Sequence, residues 1–454
     1  METRASDPSS RGLNMAPTMP AISAGDNIRR KIAWRILPFV FVLYITASLD
    51  RANVAYAKIT MMADQGFSEA VFGFGAGIFF VGYLLFEIPG ALIVERWSAR
   101  RWMARILITW GVCAVLVGFV RTASQFYVAR FFLGLAEGGF FPGIIVYLTH
   151  WFCARDRARA MAGFILAIPV SLSLGAPISA LILRLDWFGF AGWRWVFILE
   201  GLPAILFGAI TLVFLTDHPR EAAWLEPEER KWINTELESE KRAKRATSQV
   251  SILQAFRKRN VVLLALALFF ANIGTYAFVF WLPTTVQKAS GRSAIFSTAF
   301  SALPFVVALV SVVLAGRSSD LRGERKWHTA VPLGLAGLFF PLSAFAETPF
   351  PAVMLWLCAT GAVLFAWTPS FWVLPTLTLG ESAAAASFGL INSVGNLGGF
   401  VGPSLVGYLL SRSTSHVLTT GFLASSFVIG AILILAVRIQ RVDVGENWRG
   451  CGLS

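Results

Sequence analysis

Long apolar runs separated by short charged loops dominate the chain. Each run is about 20 residues long, which is enough to cross the hydrocarbon core of a bilayer as a helix. The runs lack strand-like alternation, and an open sheet could not satisfy its backbone in lipid. The pattern predicts an all-α membrane protein with twelve transmembrane helices, near 35–57, 72–95, 102–121, 124–149, 158–184, 193–216, 261–287, 296–316, 329–346, 351–378, 384–411 and 417–439.

One long polar segment, residues 217–260, separates the first six predicted helices from the last six. It is expected to be a cytoplasmic linker with a surface helix, because Pro227 suits a first helical position and acids precede bases after it. The polar start of the chain is expected to be a disordered cytoplasmic tail. The predicted units are a tail over 1–28, six-helix bundles over 29–216 and 261–440, and a cytoplasmic tail over 441–454.

Composition and charge narrow the class of protein. Hydrophobic residues make up 56% of the 454 residues and charged residues 14%, which is too apolar for a soluble protein. A net charge of +13 could suggest a nucleic-acid partner, but the basic residues concentrate in alternate loops. By the positive-inside rule we predict cytoplasmic termini in a multi-pass protein of a bacterial-type inner membrane, with no nucleic-acid partner.

The sequence gives no sign of an active site. Its four cysteines and four histidines are scattered without metal-ligand spacing, and no nucleophile lies in a pattern with a base. A phosphate-binding loop of the Gly-x-x-x-x-Gly-Lys-Ser/Thr type is also missing from the sequence. We therefore predict a protein that is not an enzyme, has no catalytic residues, metal or cofactor, and draws its energy from an ion gradient.

The first predicted helix carries Asp50, Arg51 and Asn53 in its outer half. Ionisable side chains at such depth are costly and usually face a partner or a wet cavity. We therefore interpret Asp50 and Arg51 as parts of a transport site. The alternative is that the two pair with each other or extend to the outer surface, although that would not explain Asn53.

The fourth predicted helix carries Arg130 and Glu137, two turns or about 10 Å apart on one face, with Gly134 between them. Arginine presents a planar fork to a carboxylate, and an acid beside it can exchange a proton when the arginine turns to a substrate anion. Arg51 and Arg130 are thus candidate substrate ligands, and Asp50 and Glu137 candidate proton-coupling acids. The alternative is a buried Arg130–Glu137 ion pair that fixes packing.

Uncharged polar side chains could complete such a site. Tyr83 on the second helix could donate its hydroxyl, and the second half offers amides and a stacking face. Tyr83 and Trp372 could instead belong to the core, while Glu87 and Glu200 are interpreted as structural acids. The candidate substrate-binding residues are Arg51, Arg130, Tyr83, Asn272, Trp372, Asn392 and Asn396.

Two loops echo each other in the two halves, one after the second helix and one after the eighth. Each has a small residue, an acid at a helix end and basic residues after a tight turn. Either loop alone could be an ordinary basic turn, but matching features at matching places indicate a duplicated transporter. The motif residues, with a gating or structural role, are Glu95, Arg96, Arg100 and Arg101 in the first loop and Gly316, Asp320, Gly323 and Arg325 in the second.

These loops resemble the signature of the major facilitator superfamily. The first loop departs from it, since Glu95 replaces the usual Asp, Ser98 stands where Gly is usual, and one residue is extra. The stretches 49–53, 87–89 and 391–403 resemble the anion:cation symporter branch. The resemblance implies two pseudo-symmetric six-helix bundles. It also implies that Arg51 and Arg130 contact substrate, and that Asp50 and Glu137 handle protons.

The resembled branch carries tartrate, phthalate, sugar acids and other organic carboxylates. The leading hypothesis is therefore a proton-coupled symporter that imports such an anion by alternating access. Its expected partners are a small organic anion, protons and the lipid bilayer, and the protein is expected to be a monomer. The alternatives are an exporter of drugs or metabolites on the same fold, or a transporter-like membrane sensor.

Overall fold

A computed structural model describes residues 24–245, 258–343, 349–378, 381–412 and 416–439, and within these ranges the chain is helical without strands. Short 3₁₀ turns follow α7 and α8, at Trp187–Gly189 and Pro219–Glu221. The helices are α1 Ala24–Gln65, α2 Glu69–Arg96, α3 Ala99–Val117, α4 Ala123–Glu137, α5 Phe140–Trp151, α6 Ala154–Ile165, α7 Ala167–Ile182, α8 Gly192–Phe214, α9 Pro227–Arg245, α10 Arg259–Ser290, α11 Ala294–Phe300, α12 Ala302–Arg322, α13 Lys326–Leu342, α14 Phe350–Ala366, α15 Thr368–Phe371, α16 Leu374–Thr378, α17 Glu381–Arg412 and α18 His416–Ala436.

Hydroxyl side chains and glycines set several of these helix ends. The side chains of Ser68, Ser98 and Thr122 accept hydrogen bonds from backbone N–H groups of the first turns of α2, α3 and α4, which satisfies donors that a helix start leaves unpaired. Gly291 and Gly323 end α10 and α12 with φ of 63° and 62°, a left-handed conformation that favours glycine.

The predicted membrane helices are present, but four of them are broken. Predicted helix four becomes α4 and α5 because Gly138 and Gly139 interrupt it, with φ of 88° at Gly139. Helices five, eight and ten are also divided, into α6–α7, α11–α12 and α14–α16, but at residues that keep right-handed helical angles, such as Leu166, Ser301 and Trp367. In the described residues, nine helical segments are long and apolar enough to span a membrane. The other three predicted helices fall on α3, α13 and α17, which are respectively arginine-rich at the start, 17 residues long, and rich in Gly and Ser.

The predicted end of the first tail is wrong by several residues. Helix α1 begins at Ala24, inside the segment 1–28, and residues 1–23 lie outside the described part. The early start has a partner in the linker helix α9. Lys31 forms a 2.7 Å salt bridge with Glu229, and Arg29 is hydrogen-bonded to Glu236. The hydrogen bond from Lys31 lowers the pKa of Glu229.

The helices pack as two halves, α1–α8 and α10–α18. Within the first half, α3 packs on α8 and α2 on α4; within the second, α10 packs on α17 and α12 on α14. The halves meet where α2 packs on α17, α1 on α10, and α7 on α11 and α12. The interface between the halves therefore joins their first helices, α1 and α10, and packs the second membrane helix of each half on the fifth of the other.

The two membrane faces of the molecule differ. We call the side with the basic loops the basic face; it holds the start of α1, helix α9, and the junction where the Asn260 amide donates to the Arg438 carbonyl at 2.8 Å. We call the opposite side the distal face; it holds the turns at Gly66 and Gly291. Because α7 and α11 end or begin at the distal face, their contact joins the halves there.

Candidate functional site

A cavity of about 160 Å³ lies between the two halves. The first half lines it from α1, α2, α5, α6 and α7, and the second half from α10, α12, α14, α15 and α17. Most of the lining is aromatic or aliphatic, with a few polar groups that converge on it, as is typical of small-molecule sites. Its polar side chains include Arg51, Tyr83, Asn272, Thr275, Tyr276, Asn392 and Asn396.

Arg51 is the one charged side chain among the described residues that line the cavity. Its Nε donates to Glu137 Oε1 at 2.6 Å, and its guanidinium carbon lies 5.0 Å from the centre of the Tyr83 ring. Its Nη2 has no hydrogen-bond partner among the described residues. Arg51 thus has one edge held by an acid, while part of its hydrogen-bonding capacity is unused.

Glu137 ends α4 directly before the break at Gly138, and its side chain is fully buried. The alternative of an Arg130–Glu137 ion pair is wrong in this structure, because the salt bridge of Glu137 is with Arg51 of α1. The physical reason is distance. Two helical turns separate residues 130 and 137 by about 10 Å, whereas α1 passes next to the end of α4.

Asp50 points into the first half rather than the cavity. It is fully buried, and its Oδ1 accepts a 2.8 Å hydrogen bond from the Asn53 amide. The alternatives for Asp50, a pair with Arg51 or extension to the surface, are therefore wrong here. Its Oδ2 has no partner among the described residues, so this acid retains a site for a proton.

Arg130 lies behind the wall of the cavity. Its Nη2 donates weakly to the Ala76 carbonyl at 3.5 Å, and its guanidinium stacks on Phe79 with 4.9 Å to the ring centre. It interacts electrostatically with Asp50 and Glu137. The structure therefore places Arg130 between the two candidate proton-coupling acids, not among the cavity-lining residues.

The remaining candidate residues share the cavity. The Asn272 amide donates to the Gly395 carbonyl at 3.0 Å, and the Trp372 ring stacks on Phe388 with centroids 5.7 Å apart. The Asn392 amide donates to Glu87 across the interface between the halves. The cavity thus brings together Arg51, Tyr83, Asn272, Trp372, Asn392 and Asn396.

The two signature loops form different contacts. In the second loop, Arg325 forms a 2.6 Å salt bridge with Asp320 directly across the turn at Gly323. In the first, Asp217 accepts hydrogen bonds from the Ser98 hydroxyl at 2.7 Å and the Arg100 backbone N–H at 2.8 Å. Ser98 therefore caps α3 in place of the usual glycine turn. Arg101 is exposed, Gly316 lies on α12, and the side chains of Glu95 and Arg96 lie outside the described residues.

A second charged cluster lies near the distal face. It is not among the predicted site residues, because Lys58 falls just beyond the first predicted helix, 35–57. Lys58 lies inside α1, is 1% exposed, and forms a 2.9 Å salt bridge with Glu69 of α2. The Trp281 indole of α10 donates to the same carboxylate at 2.9 Å, and Lys58 Nζ lies 4.2 Å from the centre of the Trp281 ring. Lys58 follows Arg51 by two helical turns, a spacing that could have indicated the same helix face.

Comparisons with known proteins agree with this arrangement. Residues 40–403 match the family described as the Major Facilitator Superfamily. The chain is 44% identical over 411 residues to a protein of Agrobacterium vitis named "Putative tartrate transporter", covering 90% of each chain. It is 34% identical over 420 residues to a "Quinolone resistance transporter" of Acinetobacter baumannii, covering 91% of this chain and 96% of that one.

Its fold is similar to that of the xylose transporter XylE from E. coli in a partially occluded inward open conformation. The TM-score is 0.72 at 17% identity, covering 90% of this chain and 99% of that one. At this identity the similarity shows the fold alone.

Proposed function

Because the chain belongs to the Major Facilitator Superfamily, a family of membrane transporters, we propose that it is a proton-coupled symporter that imports a small organic carboxylate. The observation that carries this proposal is the Arg51–Glu137 pair at the cavity. An arginine in a largely apolar cavity favours an anion, and a buried acid on that arginine gives a proton a way to control it. Tartrate, phthalate and sugar acids are the substrate class, and the similarity to a protein named for tartrate supports it.

The proposed cycle starts from competition for one guanidinium. With Glu137 ionised, its carboxylate holds Arg51 and disfavours substrate. When Glu137 takes up a proton, the salt bridge weakens and Arg51 turns its fork to the substrate carboxylate. Asp50 and Arg130 adjoin this pair electrostatically, so a proton can be shared between the two acids. Substrate and proton thus bind together.

The second half is proposed to recognise the uncharged parts of the substrate. Asn272, Asn392 and Asn396 offer amide donors and acceptors for hydroxyl or carboxyl groups. Trp372 offers a flat apolar surface. Because these groups carry no charge, they can hold the substrate in place without a second electrostatic trap, and release remains possible once Glu137 has lost its proton.

Alternating access would then require the two halves to part at the distal face. The Lys58–Glu69–Trp281 cluster joins α1 and α2 to α10 there, and small residues bring α2 against α17. Closure of the basic face would accompany this opening, so that the cavity faces one side at a time.

The orientation in the membrane is also a proposal. The basic loops support cytoplasmic termini in a multi-pass protein of a bacterial inner membrane, and we expect a monomer. A reporter that is active only in the cytoplasm, fused after Ser454, should be active. Activity of a reporter specific for the periplasm at the same position would contradict this topology.

Export is the second candidate function, favoured by the similarity to a protein named for quinolone resistance. The single cationic side chain in the described lining argues against a large apolar cation as cargo. Efflux of a fluoroquinolone from cells that express the chain, with no uptake of any carboxylate, would favour the exporter.

Uptake by purified protein in liposomes tests the leading proposal. A panel of carboxylates that includes tartrate is first screened for thermal stabilisation, because a ligand of the folded state raises the melting temperature. Uptake of the best ligand should then rise when the outside is made more acidic than the inside. Uptake that ignores an imposed pH gradient would contradict proton coupling, and a panel without any stabilising carboxylate would contradict the substrate class.

A further inference from the structure

One buried acid has its partners in the other half of the molecule. Glu87 of α2 is 2% exposed, and its carboxylate accepts hydrogen bonds from two side chains of α17. These are the Asn392 amide and the Ser393 hydroxyl, the latter at 3.0 Å. The other three buried carboxyls are hydrogen-bonded within their own half. The four buried acids of the described residues are Asp50, Glu87, Glu137 and Glu200.

Glu87 stands at one end of a close seam between α2 and α17. A Cβ on Gly73 would lie 2.3 Å from the Pro403 carbonyl oxygen and 2.9 Å from the Gly407 Cα, so the two backbones touch. Further along, Phe80 packs on Gly399. The helices are antiparallel, and this run of contacts ends with Glu87 opposite residues 392 and 393. A change at Glu87 therefore acts on the seam itself.

The hydrogen bonds that stabilise an ionised Glu87 come from uncharged side chains, those of Asn392 and Ser393. No lysine or arginine of the described chain forms a salt bridge with it. The titratable groups that face it are Arg51 on α1, Tyr83 on its own helix and Tyr276 on α10, and Asn396 adds a neutral amide. Arg51 is already bound to Glu137 at 2.6 Å. A buried carboxylate without a cationic partner is costly, so a proton is the simplest means of neutralising it.

The Asn392 amide connects Glu87 to the cavity, because Asn392 and Asn396 both line it. An amide N–H group that donates to the Glu87 carboxylate is withheld from a ligand. A protonated acid is different, since one of its oxygens becomes an O–H donor. That O–H group can donate to the Asn392 carbonyl or the Ser393 hydroxyl, which leaves the amide N–H group free to turn.

We propose that Glu87 is a positioning residue that couples a proton to Asn392. As a carboxylate it holds the Asn392 amide and joins α2 to α17. When it takes up a proton from solution, it releases the amide N–H group to the substrate anion. This inference rests on the proposed function, and it adds a proton-sensitive link between the halves to the one inside the first half.

The first test needs no substrate, so it can fail independently of the proposed function. Infrared spectra of the full chain in lipid discs are recorded between about pH 5 and pH 9. The wild-type spectrum minus the Glu87→Gln spectrum should contain a carboxylic-acid band that grows as the pH falls. Glu200→Gln is the matched control, and its own spectrum should still contain that band. If the subtracted spectrum contains no band that changes with pH, the proposal is overturned.

The second test measures tartrate affinity against pH. Gln resembles the protonated acid, so Glu87→Gln should bind tartrate about tenfold more tightly than wild type near pH 8.5 and within about twofold of it near pH 5.5. Asn392→Ala should weaken binding several-fold more near pH 5.5 than near pH 8.5, and an equal loss at both pH values overturns the proposal even if Glu87→Gln does not fold.

Combining the two changes shows whether Glu87 acts through Asn392. In the Asn392→Ala background, the effect of Glu87→Gln should fall below about twofold. An undiminished effect in that background, or equal affinities of Glu87→Gln and wild type at both pH values, overturns the proposal. If wild type binds no tartrate at any pH, the substrate proposal fails for this probe, and the infrared titration decides the role of Glu87.

Discussion

The two halves share a fold but differ in the chemistry they bury. Among the described residues, every buried charged side chain lies in the first half, whereas the second half buries serines, threonines and an asparagine. The cavity repeats this division, because Arg51 lies on one side of it and amides and Trp372 on the other. Under the proposed function, one bundle would handle charge and protons while the other recognises shape and hydroxyls. The buried charged residues are Asp50, Lys58, Glu87, Arg130, Glu137 and Glu200.

A concentrated charge network has a physical advantage in a membrane. An isolated buried charge is costly, and a network in which acids and bases neutralise one another reduces that cost. A second charged bundle would have to desolvate its own groups and would hold an anion more tightly. Under the proposed function, a neutral second half would leave the strength of substrate binding under the control of Arg51 and Glu137.

The largest effect is expected from Arg51→Lys, which keeps the charge but replaces a planar fork with a single ammonium group. Carboxylate uptake should fall by about a hundredfold or more, because bidentate binding and the Nε bond to Glu137 are both lost. Uptake per folded transporter is the measurement. Arg412→Lys, an exposed position in the second half, is the control and should transport normally. Near-normal uptake by Arg51→Lys would show that Arg51 is not the carboxylate ligand.

A smaller effect should separate the two signature loops, whose small residues are Gly90 in the first loop and Gly316 in the second. A Cβ on Gly90 would lie 2.8 Å from the Gly139 Cα, whereas one on Gly316 would lie an ordinary 3.7 Å from Pro369. Gly90→Ala should therefore destabilise the protein by about 1 to 3 kcal/mol, while Gly316→Ala should be close to neutral.

Thermal unfolding of Gly90→Ala and Gly316→Ala in the same detergent makes this comparison. Equal melting temperatures for the two variants would mean that the loops are equivalent, contrary to the packing described here.

The smallest expected effect is on the balance between closed and open distal faces. Trp281→Phe keeps an aromatic ring but removes the hydrogen bond to Glu69, whose net contribution at this partly exposed carboxylate is about 1 kcal/mol. The open fraction should rise by roughly fivefold. Spin labels at Ala63→Cys and Arg292→Cys, with the native cysteines replaced, should report a longer distance. An unchanged distribution of distances between the two labels would show that the Lys58–Glu69–Trp281 cluster does not hold the distal face closed.

The sequence predicts most of the fold and several of the residues that line the cavity, for physical reasons. Apolar runs identify membrane helices because lipid requires them, and buried ionisable residues such as Asp50 and Arg51 stand out against that background. The asparagines of the second half could be predicted as site residues because few polar residues occur in the helices of that half. The cavity places Asn272 and Asn396 in the same lining as Arg51.

Partners distant in sequence could not be predicted. The pairing of Arg51 with Glu137 depends on how α1 crosses the end of α4, which local periodicity does not contain. Glu87 and Asn392 are 305 residues apart and meet only because α2 and α17 pack as a seam. Hydropathy locates helix ends poorly, so the first predicted helix stops at residue 57 and excludes Lys58. In the structure, α1 continues to Gln65.

In the proposed mechanism, Glu137 transfers the effect of a proton to Arg51. The variant Glu137→Gln tests this role. Gln has nearly the shape of the protonated acid and cannot ionise, so Arg51 should stay free to bind substrate. Two assays on one preparation are compared: counterflow of labelled substrate at equal pH, and uptake driven by an imposed pH gradient. In Glu137→Gln, counterflow should persist, accumulation against a gradient should be lost, and binding should lose much of its pH dependence. Driven uptake that survives in Glu137→Gln would contradict the claim and move the coupling proton to another acid, with Asp50 the next candidate.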